Sequence, residues 1–190
     1  MVGVAGARAV SVRAMDAGRT RTRRRGVAIM ADSFAREYPE APRAAVGAIV
    51  LDGDQVLLVR RGEAPSQGRW SVPGGLIHLG ERIEDAVARE IKEECGLEIQ
   101  IIGLCGVIDR VVPGESTQAG GPPPVRYHYI IIDYVAVPTG GTLQAGSDAA
   151  EARWVHVADL SRYETTQGLA AMVHRAVKLR QARTQGGLIG

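Results

Sequence analysis

The chain is poor in cysteine: 190 residues contain only Cys95 and Cys105. Two thiols make no spaced framework, which excludes a disulfide scaffold and a multi-cysteine zinc site. Both lie in apolar surroundings, Cys95 on one face of a helical pattern and Cys105 in a strand-like run, so both read as reduced core thiols. There is no internal repeat. The apolar pieces of residues 1–29 are too short and too interrupted for a secretory signal or a membrane span. A cytoplasmic location is the default that follows.

An excess of positive charge is missing from most of the chain. The formal net charge is +2, but residues 1–29 hold seven Arg and one Asp. From Met30 onward 16 basic residues face 20 acidic ones, a net charge of −4. That balance argues against a nucleic-acid-binding surface on the folded part. A hydrophobic content of 45% is enough for one domain with a proper core.

Residues 1–29 are rich in Arg, Ala, Gly and Val. Three readings stay open for them: a disordered tail upstream of a working start at Met30, an organellar transit peptide, or a basic arm for nucleic acid or an anionic membrane. The organisation predicted is an extension over residues 1–40, a domain over 41–183 and a frayed tail over 184–190.

Within the domain, AAVGAIVL (44–51) and QVLLVR (55–60) flank Asp52-Gly53-Asp54, which predicts a hairpin. Residues 61–69 form a polar loop, and 98–111 one strand or a bent pair of strands. A Gly- and Pro-rich loop over 113–124, either a substrate lid or a plain connection, leads to a long strand over 126–137. A short strand RWVHV, a turn or short helix over 157–163 and a helix over Leu169–Ala182 complete the domain.

The segment with the most chemistry is GLIHLGERIEDAVAREIKEECGL, residues 75–97. Good helix formers run from Glu81 to Cys95 without proline, and Gly96 stands where a helix should stop. At about 100° per residue, Ile83, Val87, Ile91, Cys95 and Ala86 share one apolar arc. Arg82, Asp85, Arg89 and Lys92 fall on the opposite, solvated arc. Glu90 and Glu94 fall inside the apolar arc and Glu93 at its edge. Carboxylates so placed repel one another and lose hydration, so a cation must compensate. Mg²⁺, or Mn²⁺, is the best candidate, because hard cations take clustered carboxylate oxygens.

The same segment resembles the box of the Nudix hydrolases, G-x5-E-x7-R-E-U-x-E-E-x-G-U with U aliphatic. Gly75, Glu81, Arg89, Glu90, Ile91, Glu93, Glu94, Gly96 and Leu97 meet every defined position. The approach to it, Gly68, Arg69, Trp70, Pro73 and Gly74, is also similar to that family's. The resemblance implies the α/β Nudix fold, an α/β/α sandwich around a mixed β-sheet with a catalytic loop-helix-loop. It also implies Mg²⁺-dependent (or Mn²⁺-dependent) cleavage of a nucleoside diphosphate linked to another group. By position, Glu93 and Glu94 are the expected metal ligands and Glu90 a ligand or general base. Glu81 supports the cluster, Arg89 orients the glutamates, and the Gly75 carbonyl joins the coordination. A further acid from outside the box would be Asp148 or Glu151.

Outside the box, Arg60 and Arg61 are candidates for phosphate contact or a solvated strand end, with Arg61 favoured. Trp70 either stacks on a base or packs under the Pro73-Gly74-Gly75 turn. His78 reads as exposed. Tyr127 and Tyr129 share one strand face and His128 takes the other, and either set could line a cleft or simply pack. The stretches PRAAVGAIVL, YHYIIIDYVA and SDAAEARWV resemble the small bacterial proteins grouped with ADP-ribose pyrophosphatases, which makes ADP-ribose the leading substrate. A (d)NTP or oxidised-nucleotide pyrophosphohydrolase would share the same box. A non-hydrolysing nucleotide sensor is a third reading, opposed by the intact box. The implied partner is a nucleotide-type small molecule, without nucleic acid or membrane, and a homodimer is compatible with the resemblance.

Overall fold

A computed structural model describes residues 36–116, 121–146 and 149–186. The elements are β1 (Arg43–Asp52), β2 (Gln55–Arg61), β3 (Trp70–Ser71), α1 (Ile83–Cys95), β4 (Leu97–Pro113), β5 (Val125–Gly141), β6 (Ala149–His156), a 3-10 turn (Val157–Arg162) and α2 (Leu169–Gly186). The strands form a mixed sheet in the order β3-β2-β1-β5-β4, with β6 paired to β2. β1 and β5 run parallel, from Arg43 beside Tyr129 to Val50 beside Ala136. β4 is antiparallel to β5.

The central strands β1 and β2 are apolar on both faces, as strands covered by helices on both sides must be. In β1, Val46, Ala48 and Val50 point to one core and Ile49 and Leu51 to the other. In β2, Leu57 and Val59 join the first core, and Val56 and Leu58 the second. α1 seals the first core with Ala86, Val87, Ile91 and Cys95. α2 seals the second with Leu169, Val173 and Ala176. The result is the α/β/α sandwich that the resemblance implies.

One departure from a regular sheet positions the site. β1 and β2 pair only at the hairpin, Leu51 with Val56 and Asp52 with Gln55, and then diverge. The segment Pro73–Ile77 takes the freed edge of β1. Ala48 N–H donates to Pro73 O (3.0 Å), Val46 N–H to Gly75 O (2.9 Å), and Ile77 N–H to Ala44 O (3.2 Å). The loop before α1 is thereby a rung of the sheet.

Several boundaries differ from the expected ones. Residues 98–111 belong to a single bent strand, Leu97–Pro113, with register shifts at Glu98/Ile99, Ile101/Gly103, Leu104/Gly106 and Val112/Pro113. The two-residue strand Trp70–Ser71 escapes the hydropathy pattern because it is too short to show alternation. Residues 36–40, placed in the disordered extension, are instead tied to β5. Tyr38 N–H donates to Arg126 O (2.7 Å), and Glu37 Oε1 accepts from Arg126 Nη2 (2.9 Å) and from the Tyr127 hydroxyl (2.6 Å). α2 continues through Thr184 to Gly186, so the helix includes the first residues of the expected frayed tail. The readings offered for residues 1–29 fall outside the described residues. No helix among those described is long and apolar enough to cross a membrane.

Candidate active site

The box helix is held at its C-terminal end by backbone bonds. Gly96 closes it in the left-handed conformation (φ 70°), its N–H bonded to Lys92 O at 3.0 Å. The chain after β5 then folds back over this end. Gln144 N–H donates to Cys95 O (3.0 Å) and Gly146 N–H to Glu94 O (2.8 Å), satisfying two of the helix's last carbonyls. These contacts fix the turn that carries Glu93 and Glu94, and hydropathy alone does not show them.

Arg89 organises the carboxylates. Its Nε and Nη2 grip both oxygens of Glu81, at 2.7 and 2.9 Å. Its Nη1 reaches Glu90 Oε1 at 2.8 Å and Glu93 Oε2 at 3.2 Å, and Nη2 also donates to Leu76 O at 3.1 Å. A planar guanidinium can serve three carboxylates and a carbonyl because its donors spread in a fixed fork. The Arg89 side chain is only 22% exposed, so it is turned from the solvated arc, where helical spacing puts it, back toward the glutamates. Arg89 and the His78 backbone N–H, which donates to Oε2 at 2.9 Å, hold the Glu81 carboxyl down to about 2. The same ion pairs push the Arg89 guanidinium up.

Glu94 Oε2 accepts the Gly74 N–H at 2.9 Å, joining α1 to the rung on β1. Glu90 packs directly on Gly75, where a Cβ would stand 2.5 Å from the Glu90 carboxyl carbon. The Glu90 side chain is 12% exposed and that of Glu93 60%, which matches their expected places inside and at the edge of the apolar arc. Glu90 and Glu94 therefore reach the Gly74–Gly75 backbone, and Glu93 is joined to Glu90 through Arg89. Among the described residues, no three acids, histidines or cysteines already stand as the ligand cage of one ion. Arg89 supplies the compensating charge in this arrangement. The donor set is nonetheless hard oxygen throughout, which suits Mg²⁺ or Mn²⁺. The Gly75 carbonyl accepts Val46 N–H and keeps its second lone pair for a ligand.

Residues 41–176 match the family described as NUDIX domain. The chain belongs to the Nudix family. Within it, an ADP-ribose pyrophosphatase of Methanocaldococcus jannaschii is 36% identical over 121 residues, covering 64% of this chain and 66% of that protein. A putative 8-oxo-dGTP diphosphatase 2 of Mycobacterium tuberculosis is 32% identical over 140 residues, covering 68% of this chain and 94% of that protein. Among solved structures, a MutT Nudix hydrolase of Burkholderia pseudomallei aligns with a TM-score of 0.59 and 28% identity, covering 72% of this chain and 98% of that one.

The residues singled out beside the Nudix box separate into two groups. Arg61 faces the site and feels the Glu94 charge, while burial and the charges of Arg110 and Arg36 push its guanidinium down. Arg60 points outward, its Nε bonded to Gly68 O at 3.1 Å. Trp70 lies in the second core at 9% exposure, edge-on to Tyr163 at 5.6 Å and with the Arg153 guanidinium 4.9 Å above its ring. It is thus packed into the core among these groups. Glu151 is not brought to the cluster. In β6, Ala152 and Trp154 pack on the α1 side, so Glu151 and Arg153 take the α2 side, where they form an ion pair with each other. Asp148 lies outside the described residues. His78 is exposed, as its undefined box position suggests.

Sequence reasoning passed over Arg110, Arg36 and Asp133. Asp133 is a carboxyl at 3% exposure whose Oδ1 has no hydrogen-bond partner, so burial pushes it up to about 6. The signal was a single acid inside the apolar run YIIIDYVAV. Both cysteines are buried, and desolvation pushes Cys95 up to about 12 and Cys105 up to about 11, as befits core thiols.

Proposed function

We propose that the protein is a divalent-metal-dependent pyrophosphohydrolase acting on a nucleoside diphosphate linked to another group. The observation that supports this is the meeting of Glu90 and Glu94 with the Gly74–Gly75 rung, with Arg89 tying Glu81, Glu90 and Glu93 together. A Mg²⁺ or Mn²⁺ ion held by Glu93, Glu94, Glu90 and the Gly75 carbonyl would neutralise diphosphate oxygens and acidify water. The chain's own residues do the rest. Arg89 fixes the directions of Glu90 and Glu93, so the carboxylates need not reorganise during the reaction. Glu90, partly shielded from water, accepts the proton as a water oxygen bonds to phosphorus and the bridging P–O bond breaks. Arg61 meets the substrate phosphates beside Glu94.

ADP-ribose, cleaved to AMP and ribose 5-phosphate, is the leading substrate. It is favoured by the 36% identity to the archaeal ADP-ribose pyrophosphatase. An oxidised (d)NTP is the second reading, favoured by the mycobacterial relative, 94% of whose length this chain covers. Both use the same carboxylates, so substrate choice rests on groups outside the box. The test is phosphate release, with a coupled phosphatase and Mg²⁺, across ADP-ribose, NADH, diadenosine polyphosphates, dNTPs and oxidised dGTP. ADP-ribose giving the highest kcat/KM supports the leading reading. A triphosphate giving it replaces that reading with the second. A cytoplasmic location belongs to the same proposal.

A further inference from the structure

Two arginines from strands that are not neighbours meet at one loop. Arg61, at the end of β2, donates from Nε to Pro65 O at 2.8 Å. Arg110, on β4, donates from Nη2 to Ser66 Oγ at 3.2 Å. The loop that receives both is itself pinned back on β2. Arg61 N–H bonds to Arg69 O (3.0 Å), Gly68 N–H to Arg61 O (2.9 Å), and Gln67 Nε2 to Gly62 O (2.8 Å). The two cations are thus set by backbone-anchored, neutral oxygens.

Their charges lack a direct ion-pair partner. Neither Arg61 nor Arg110 forms an ion pair among the described residues, whereas nearby Arg36 has Glu63 at 2.8 Å and Arg126 has Glu37 at 2.9 Å. Arg61 is half-buried, attracted by Glu94, and repelled more weakly by Arg110 and Arg36. Tyr129 completes the surroundings. It stands between Arg43 on β1 and Arg110 on β4 in the sheet register, stacks on Tyr127 at 6.2 Å, and is within the field of Arg36, Arg43 and Arg61. Desolvated guanidiniums that repel one another are stabilised when an anion with several acceptor oxygens arrives, and a phosphate fits their fork geometry. The arrangement mirrors the glutamate cluster beside it, where like charges call for a cation. Arg61, which feels the Glu94 charge, is the link between the two.

We propose that Arg61, Arg110 and the Tyr129 hydroxyl form an anion subsite that holds one phosphate of the substrate while its neighbour lies at the Nudix-box carboxylates. This deepens the pyrophosphohydrolase reading and assigns substrate-binding residues on β4 and β5. The class of ligand is a chain of at least two linked phosphates. Because the subsite binds without taking part in bond cleavage, its contribution is to KM more than to kcat.

The test is binding of inorganic pyrophosphate to the full chain in excess EDTA, followed by calorimetry or by NMR of the Arg61 and Arg110 side chains. Without metal, the arginines are the groups that hold the anion. The expected results are saturable binding to wild type, a loss of at least about tenfold in affinity for Arg110→Ala, and partial recovery in Arg110→Lys. Arg60→Ala, which alters the outward-facing neighbour, should bind as wild type does. Arg61→Ala also removes the bond to Pro65 O, so Arg110→Ala is the deciding variant, with its thermal melt checked against wild type. Pyrophosphate affinity unchanged in a folded Arg110→Ala overturns the proposal, and so does equal weakening by Arg60→Ala. The hydrolase reading is judged separately by phosphate release. Turnover with Arg110-independent binding would sink the subsite alone, and Arg110-dependent binding without turnover of any substrate would sink the hydrolase alone.

Discussion

Gly75 and Glu90 touch so closely that the site has no room for a Cβ at residue 75. One placed there would stand 2.5 Å from the Glu90 carboxyl carbon. The Gly75 backbone cannot retreat easily, because its carbonyl is bonded to Val46 N–H in the sheet. Gly75→Ala should therefore displace Glu90 rather than the loop. A shift of about 1 Å in such a group costs on the order of 10²-fold in rate. The expected outcome is that loss in kcat, with a circular dichroism spectrum like wild type. Unchanged kcat would mean that the Glu90 position is unimportant to the reaction.

Arg89 is the shared counter-charge of Glu81, Glu90 and Glu93. Arg89→Ala leaves three carboxylates facing one another, which is unfavourable until a cation is bound. The variant should melt a few degrees below wild type in EDTA and gain more than wild type does from added Mg²⁺. Arg89→Lys should rescue little, since a single ammonium cannot reproduce the fork. Thermal melts with and without Mg²⁺ decide this, and equal Mg²⁺ gains in wild type and Arg89→Ala would contradict it.

Asp133 gives the fold a pH dependence of known sign. Its carboxyl leans over Gly47 and lacks a partner for Oδ1, and burial raises it from an ordinary 3.8 to about 6. A raised folded-state value means the folded protein holds the proton more tightly than the unfolded one. The stability this confers is full below about pH 4 and is lost as pH rises through about 6. The loss amounts to roughly 2–3 kcal/mol at neutral pH. Asp133→Asn should raise the melting temperature at pH 7.5 and leave it nearly unchanged at pH 4. A gain of equal size at both values would show that the charge is not the cause.

The two thiols should be inert in the folded state. Cys95 and Cys105 are buried and held mostly protonated, up to about 12 and about 11. The thiolate is the reactive form. Labelling by a thiol reagent at pH 8 should be slow in native protein and fast in denaturant, with two groups released on unfolding. Rapid native labelling would place a thiol at the surface.

Much of the box was legible because its logic is local. The helical spacing alone set Glu90 and Glu94 on the core side of α1 and Glu93 at the edge. The hairpin around Asp52-Gly53-Asp54 and the central-strand character of β5 also follow from short-range patterns. What failed depended on distant partners. Glu151 shares a strand face with Arg153, but which face of β6 looks toward α1 is set only by the packing of Ala152 and Trp154 on the first core. Trp70 is claimed by Tyr163, far along the chain. Arg110 becomes interesting only when β4 and the Pro65–Ser66 loop are folded together. The reach of Arg89 back across its helix is set by where Glu81 and Leu76 lie, which a helical wheel does not contain.

The most direct test of the account is phosphate release from ADP-ribose and oxidised dGTP in Mg²⁺ by wild type beside Glu93→Gln. The substitution keeps the size of an exposed side chain, so the fold should be intact. A fall of roughly 10²-fold or more in kcat for whichever substrate wild type cleaves is the predicted result. Near-wild-type turnover by Glu93→Gln would contradict the assignment of the Nudix-box carboxylates as the catalytic centre.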